Sequence, residues 1–282
     1  MKFSLILATK NRKKELVNFL ESLKRQSYKN FELIVCDQNK EGFLKKIIAN
    51  YSSEFEINHL YTRSGLSKAR NDGLRWVKGD IIAFPDDDCI YSDDLLEKVV
   101  NKFKEVEELD GFCGRPVNFE GKTTAGKFLK KSKWVKLLEA PFVFCSFTMF
   151  LKKKVIEEVG EFNENLGLGA ESKFLSSEDL DYGIRILKKG FKIFYDPELI
   201  VFHPEKEKIF NKEVLERAYK YALSTGYVLK KHDFPWWYCI YYILRPLGGV
   251  FISGLKGNFP KLKWHSVKFL GRLQGYITEN TI

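Results

Sequence analysis

The sequence predicts an α/β fold, a mainly parallel sheet with helices on both faces, continued by a helical C-terminal extension. Three observations predict it. Short apolar runs of strand length alternate with helix-period segments through the first half of the chain. Several of those runs end abruptly at turn or acidic residues. The 282 residues are 44% hydrophobic and 30% charged, which supports a folded core and excludes wholesale disorder.

Taken in order, Phe3–Ala8 is an apolar run and reads as the first strand. A polar turn follows, then Leu16, Phe19, Leu20 and Leu23 at helical spacing. Phe31–Cys36 reads as a second buried strand, ending at Asp37-Gln38-Asn39. Phe43–Tyr51 reads as a helix, Ile57–Tyr61 as a third strand and Leu66–Val77 as a helix. Ile81–Phe84 is a fourth apolar run, stopped by Pro85. Ser92 reads as the N-cap of a helix carried by Leu95, Val99 and Phe103.

From Gly111 the rhythm loosens. Gly111–Val117 and Phe142–Leu151 read as strands and Lys152–Val159 as a helix. A Gly-rich loop, Phe162–Ser177, leads into a helix over Glu178–Lys188. Lys192–Tyr195 and Leu199–Phe202 read as two strands before His203-Pro204, and the chain from Ile209 is helical, basic and aromatic. The predicted organisation is one domain over residues 1–205, in halves 1–110 and 111–205, and an extension over 206–282.

Charge is uneven. The chain carries a net +10, and the stretch from Pro204 to Ile282 holds thirteen Lys/Arg against six Asp/Glu. A polyanionic surface is the expected partner of that last quarter. Cys36, Cys89, Cys113, Cys145 and Cys239 form no CxxC pair and read as reduced core thiols of a cytosolic protein. Met1–Ala8 runs straight into a strand, so no signal peptide is expected. Phe234–Leu255 is long and apolar enough to span a bilayer, but Arg245-Pro246 lies at its centre. Proline frees a carbonyl that lipid cannot satisfy, so two shorter amphipathic pieces lying in the interface are expected.

Two acidic constellations carry chemistry. Asp86-Asp87-Asp88 follows a buried strand, at the kind of sheet edge where α/β proteins hold ligands. Three adjacent carboxylates repel one another unless a cation neutralises them, and Mn²⁺ or Mg²⁺ takes oxygen ligands and bridges to diphosphates. Glu178, Asp179 and Asp181 open a helix whose dipole favours ionised acids, and Asp181 shares a face with Arg185. One of these acids is a candidate general base beside the flexible Gly167-Leu168-Gly169. A helix cap explains the same residues and is compatible with that role.

These residues occur in a telling order. Leu7-Ala8-Thr9-Lys10-Asn11-Arg12 precedes a strand ending at Asp37, then Gly65-Leu66-Ser67-Lys68-Ala69-Arg70-Asn71-Asp72-Gly73. Gly79-Asp80-Ile81-Ile82-Ala83-Phe84-Pro85-Asp86-Asp87-Asp88 and Glu178-Asp179-Leu180-Asp181 follow. The order resembles the family 2 glycosyltransferases of the GT-A fold over roughly residues 1–205. The resemblance implies a nucleotide-binding half over 1–110 and an acceptor-binding half over 111–205.

It also implies roles. Thr9, Asn11 and Arg12 line the nucleotide pocket, Asp37 bonds the base, and Arg70 with Asn71 meets the diphosphate region. Asp86 and Asp88 match the acids of the Asp-x-Asp motif that hold ribose and metal, with Asp87 sharing either role. Asp179 matches the general base, paired with Glu178, and His203 matches a metal-ligating histidine of some members. Gly167, Gly169 and Asp181 fall on the acceptor side. The loop Asp37-Gln38-Asn39-Lys40 and Pro85 depart from the usual pattern, which leaves nucleotide preference open.

The implied activity is inverting, metal-dependent transfer from a nucleoside diphosphate sugar to an acceptor hydroxyl, with Mn²⁺ or Mg²⁺ as cofactor. Leu262, His265, Phe269, Leu273 and Tyr276 recur at helical spacing beside Lys261, Lys268 and Arg272. With the aromatic segment before them they suggest an anionic membrane surface met through residues 234–276. A lipid-linked saccharide or polysaccharide precursor then suits as acceptor, at the inner face of the cell membrane. A sugar-phosphate nucleotidyltransferase would need a Gly-rich loop where Ala8–Arg12 has no glycine. A non-catalytic basic module holding nucleic acid would leave the acids without purpose, so no nucleic acid partner is expected.

Overall fold

The computed structural model describes residues 1–204 and 210–279. Its eight strands are β1 (Phe3–Thr9), β2 (Phe31–Asp37), β3 (Glu56–Tyr61), β4 (Ile81–Ala83), β5 (Gly111–Val117), β6 (Lys133–Trp134), β7 (Met149–Lys152) and β8 (Ile193–Phe202). They form one sheet in the order β3-β2-β1-β4-β7-β5-β8-β6. β1 is parallel to β2 and β4, β2 to β3, and β5 to β8. β7 runs antiparallel between β4 and β5, and β6 antiparallel along β8.

The helices are α1 (Lys13–Lys24), α2 (Lys45–Tyr51), α3 (Leu66–Leu74), α4 (Leu95–Glu105), α5 (Lys153–Val159), α6 (Glu178–Lys188), α7 (Lys212–Lys231), α8 (Trp236–Leu255) and α9 (Phe259–Ile277). Two compact units result. Among the described residues the first holds 1–162 with 182–204, and the second 163–181 with 210–279. The division falls inside α6, after Asp181.

In the first unit the continuous apolar runs of β1 and β2 are buried along almost their whole length. Leu16, Phe19, Leu20 and Leu23 of α1 and Leu95, Leu96, Val99, Val100 and Phe103 of α4 turn their apolar stripes into the same core. β5 and β8 change register around Gly114, where an added Cβ would lie 2.0 Å from the Leu199 carbonyl oxygen. Only glycine fits there, and the bulge lets β8 continue through Pro197 as one strand where two are expected.

Two other local expectations give way. The run Phe142–Leu151 starts where one 3₁₀ turn, Leu137–Phe142, ends and contains another at Ser146–Thr148, and only Met149–Lys152 pairs in the sheet. Thr148 closes the second turn by donating both N–H and hydroxyl to the Cys145 carbonyl. At α4 the N-cap is Asp94, with the Ser92 hydroxyl donating to its Oδ1 at 2.9 Å. All five cysteines are free and buried, as expected of core thiols.

In the second unit Asn211 caps α7 and Asn258 caps α9, each side chain accepting an N–H three residues on. α7 and α9 pack backbone to backbone. A Cβ on Gly226 would meet the Arg272 carbonyl oxygen at 2.1 Å, and one on Gly275 the Leu223 carbonyl oxygen at 2.0 Å.

The two short pieces expected over 234–255 are a single helix, α8, running through Pro246. Proline removes the N–H that would bond the Tyr242 carbonyl. Arg272 of α9 supplies the missing donor, its Nη1 lying 2.6 Å from that oxygen, and its guanidinium stacks 4.1 Å from the centre of the Tyr242 ring. A tertiary partner thus repairs what local sequence breaks. α8 is long and apolar enough to cross a membrane, with mean hydropathy 1.2 and one third of its most apolar 18-residue stretch buried.

Candidate active site

The carboxyl ends of β1, β2 and β4 come level. Pairing sets Thr9 opposite Asp37, and Ala8 bridges to Asp86 just past β4. Three strand-end segments therefore meet at one edge, where open α/β sheets hold ligands.

The first loop leaves β1 through Asn11, whose φ of 59° is left-handed and whose N–H donates to Asn39 Oδ1 at 2.7 Å. The next residue, Arg12, reaches the acidic triplet. Its Nη1 donates to Asp87 Oδ1 at 2.8 Å and to Asp88 Oδ2 at 2.5 Å. Thr9 donates to the other oxygen of Asp87 at 2.8 Å. Arg70, buried on α3, donates through Nη2 to Asp86 Oδ1 at 3.1 Å and to Ser146 Oγ at 2.8 Å, and lies over the Phe162 ring. Asn71 exchanges a reciprocal pair of hydrogen bonds with the backbone of Phe162, which fixes the end of the first unit's long segment.

The triplet is held electrostatically. Burial and the neighbouring carboxylates push Asp87 up to about 6, against the pull of Arg12 and Thr9. Burial raises Asp88 too, but His203 and Arg12 outweigh it and hold Asp88 down at about 2. Burial would lower Arg12, yet the two acids keep it firmly protonated.

His203 sits past β8 with Nε2 3.4 Å from Asp88 Oδ1, its ring stacked on Phe147, and its Nδ1 buried without a hydrogen-bond partner among the described residues. Asp86, Asp88 and His203 do not gather as a three-residue metal set; Arg70 bonds Asp86, while Arg12 and His203 lie against Asp88. Among the described residues no group of three His, Cys, Asp or Glu is arranged to hold a metal. Asp88 and His203 still offer two adjacent donors, a carboxylate and an imidazole, of the kind that suits a divalent cation completed by diphosphate oxygens and water. They are the residues that would hold it.

Asp37 is fully buried. Its Oδ1 accepts from the Asn39 N–H and side-chain amide, and its Oδ2 lies 2.9 Å from His59 Nε2. His59, Ser146 and Phe147 belong to this edge and were not singled out from the sequence. A lone histidine within a strand and a serine in an apolar run carry no local signal.

The remaining residues lie in the second unit. Gly167 and Gly169 have φ of 102° and 77°, and the Gly167 N–H donates to the Phe174 carbonyl. Glu178 is buried, and Asp179 is half-buried with Oδ1 accepting the Leu180 N–H at 2.8 Å. Asp181 is fully buried and gripped by Lys231 Nζ at 2.7 Å and His232 Nε2 at 2.9 Å. It ties the start of α6 to the end of α7 and presents no carboxylate to solvent.

A strand-end edge carrying an acidic triplet, two arginines and a buried aspartate sits on an α/β fold of the GT-A type. Comparison with known proteins assigns the family. A profile described as "Glycosyl transferase family 2" matches residues 4–160, and the chain belongs to that family. The putative glycosyltransferase EpsE of Bacillus subtilis is 23% identical over 98% of this chain and 97% of its own length. The minor teichoic acid biosynthesis protein GgaB of the same organism is 27% identical over 64% of this chain, which spans 22% of GgaB. The crystal structure of S. aureus TarS 1-349 in complex with UDP-GlcNAc superposes with a TM-score of 0.64 at 17% identity, covering 100% of this chain and 95% of that one. The fold is therefore GT-A-like, and the protein is a glycosyltransferase.

Proposed function

We propose that this glycosyltransferase moves a sugar, with inversion, from a nucleoside diphosphate sugar to a hydroxyl of a lipid-linked saccharide or polysaccharide precursor. One observation carries the donor side: Asp86–Asp88 closing β4 with Arg12 and Arg70 around them. Thr9, Asn11, Asp37 and Asn71 stand on the same edge and line the nucleotide. The TarS complex with UDP-GlcNAc supports a uridine diphosphate donor, and the name of GgaB supports a polymer acceptor.

When bound at Asp88 and His203, Mn²⁺ or Mg²⁺ would supply neutralisation of charge on the leaving diphosphate. Arg70 and Arg12 stabilise that charge from fixed positions. Asp179, set beside Glu178, takes the acceptor proton as the hydroxyl oxygen bonds to the anomeric carbon. The bond from that carbon to the diphosphate oxygen breaks with its electron pair leaving on the phosphate. One displacement inverts the anomeric centre. Gly167 and Gly169 give the acceptor-side loop its left-handed turns, and Asp181 anchors the helix that carries the base. In this reading 1–110 serves the nucleotide, 111–205 the acceptor and 206–282 the surface.

The surface is the inner face of the cell membrane, met through 234–276. On α8, Trp236, Ile240, Leu244, Phe251 and Leu255 are exposed at helical spacing, and Lys256, Lys261 and Lys263 follow. The test is sugar release from a panel of UDP- and GDP-sugars with Mn²⁺, in the native chain and in Asp179→Asn. Transfer should fall at least 100-fold in the variant with nucleotide affinity within twofold. Transfer at the native rate would remove Asp179 from the base role.

A further inference from the structure

Between Lys122 and Lys136 the chain holds six lysines and no acidic residue. Glu120 pairs with Lys122 and Glu139 with Lys133. Lys127, Lys130, Lys131 and Lys136 are exposed and make no ion pair among the described residues. The path of this segment is defined by β8. Its first turn lies at the site end of that strand. Phe119, 69% exposed, stacks on Phe202, and the next residue, His203, faces Asp88 and donates its N–H to Val117. The segment then returns along β8. Leu129 accepts from the Tyr195 hydroxyl, Ser132 bonds Asp196, and Lys133 and Trp134 pair with Tyr195 and Phe194 as the sheet's edge. Ten residues of strand span about 30 Å. Three of the four unneutralised ammonium groups, on Lys130, Lys131 and Lys136, are thus borne beside the start of β8, far from the carboxylates, and Lys127 lies between them and the turn at the other end, with the exposed rings of Trp134 and Phe119 marking the two ends.

We propose that this strip docks an anionic acceptor polymer, a glycan or polyol chain bearing a phosphodiester in each repeat, and feeds it toward the edge that holds the donor. The inference rests on the reading of Asp86–Asp88 as the donor site. A neutral acceptor would have no use for a run of unneutralised cations, whereas a polymer charged in every repeat presents an anion to each of them. The strip's origin at His203 favours an acceptor over nucleic acid, since what lies along it arrives where transfer occurs. Asp196, which accepts from the Ser132 hydroxyl, is the carboxylate of β8 shown to meet the strip.

The experiment uses the full chain. Binding of a poly(glycerol phosphate) probe is measured by fluorescence titration against salt for the native protein and for a fourfold variant, Lys127→Gln, Lys130→Gln, Lys131→Gln and Lys136→Gln. A fourfold Lys→Arg variant at these positions must keep native binding. Lys212→Gln, Lys256→Gln, Lys261→Gln and Lys263→Gln together form the equal-charge control. The strip variant should lose at least tenfold in affinity and the control less than twofold. Its salt slope should fall by about 3, as expected for four lost phosphate contacts. Sugar release from the donor should stay within twofold, and its absence from the native chain would count against the donor site rather than the strip. Absent binding in the native chain, equal loss in both glutamine variants, or loss in the Lys→Arg variant overturns the proposal. So does poly(U) RNA, or an anionic vesicle, that binds as tightly through the same four lysines.

Discussion

Replacing Arg272 by Met tests whether a side chain can stand in for a backbone donor. Arg272 is 9% exposed and donates to the one carbonyl that Pro246 orphans. A hydrogen bond from a charged donor contributes about 1.5–3 kcal/mol, and a desolvated cation over an aromatic ring about 2 kcal/mol. Burial lowers the pKa of Arg272, which marks the opposing cost of desolvating the cation, and Met avoids that cost. The net loss for Arg272→Met is therefore about 1–3 kcal/mol. The sharper quantity is the coupling. Pro246→Ala returns an N–H to the Tyr242 carbonyl, so in that background Arg272→Met strands nothing. Its cost should fall by at least about 1 kcal/mol. Urea unfolding of the full chain, followed by far-ultraviolet circular dichroism across the four corners of the cycle, measures it. Additivity within about 0.5 kcal/mol would refute the repair of the helix by Arg272.

Two further outcomes concern the acidic triplet. Arg12→Met removes the cation shared by Asp87 and Asp88, so the melting temperature in EDTA should drop by several degrees and recover in millimolar Mn²⁺. Loss without recovery would show that these carboxylates do not take a divalent ion. Asp87, raised to about 6, binds its proton more tightly folded than unfolded, so its contribution to stability is present at low pH and declines as pH rises through 6. Without metal or nucleotide, stability should fall between about pH 4 and 6, and Asp87→Asn should flatten that slope. An unchanged slope in the variant would place the titration elsewhere.

The sheet was largely legible because β1, β2 and β4 are short uninterrupted apolar runs that end in polar residues, a pattern with few alternatives. The acids of the candidate site were legible for the same reason, as strand ends. Their partners were not. Arg12 meets Asp87 and Asp88 only after the chain has folded back across 75 residues, and nothing near Arg12 in the sequence announces it. Ser146 is hidden in a run whose apolar content suits a strand, yet its neighbours close a 3₁₀ turn and its hydroxyl accepts from Arg70. The continuity of α8 failed in the opposite direction. The rule that proline breaks a helix is sound locally, and a donor from another helix overrides it.

The guanidinium groups at the strand ends have a further consequence. Two permanent cations already offset much of the charge of three aspartates, so this end of the sheet tolerates its own acids without outside help. Under the proposed metal role, a divalent ion would serve turnover rather than folding. Chelated protein should remain intact, idle and ready to be restarted by adding the ion back.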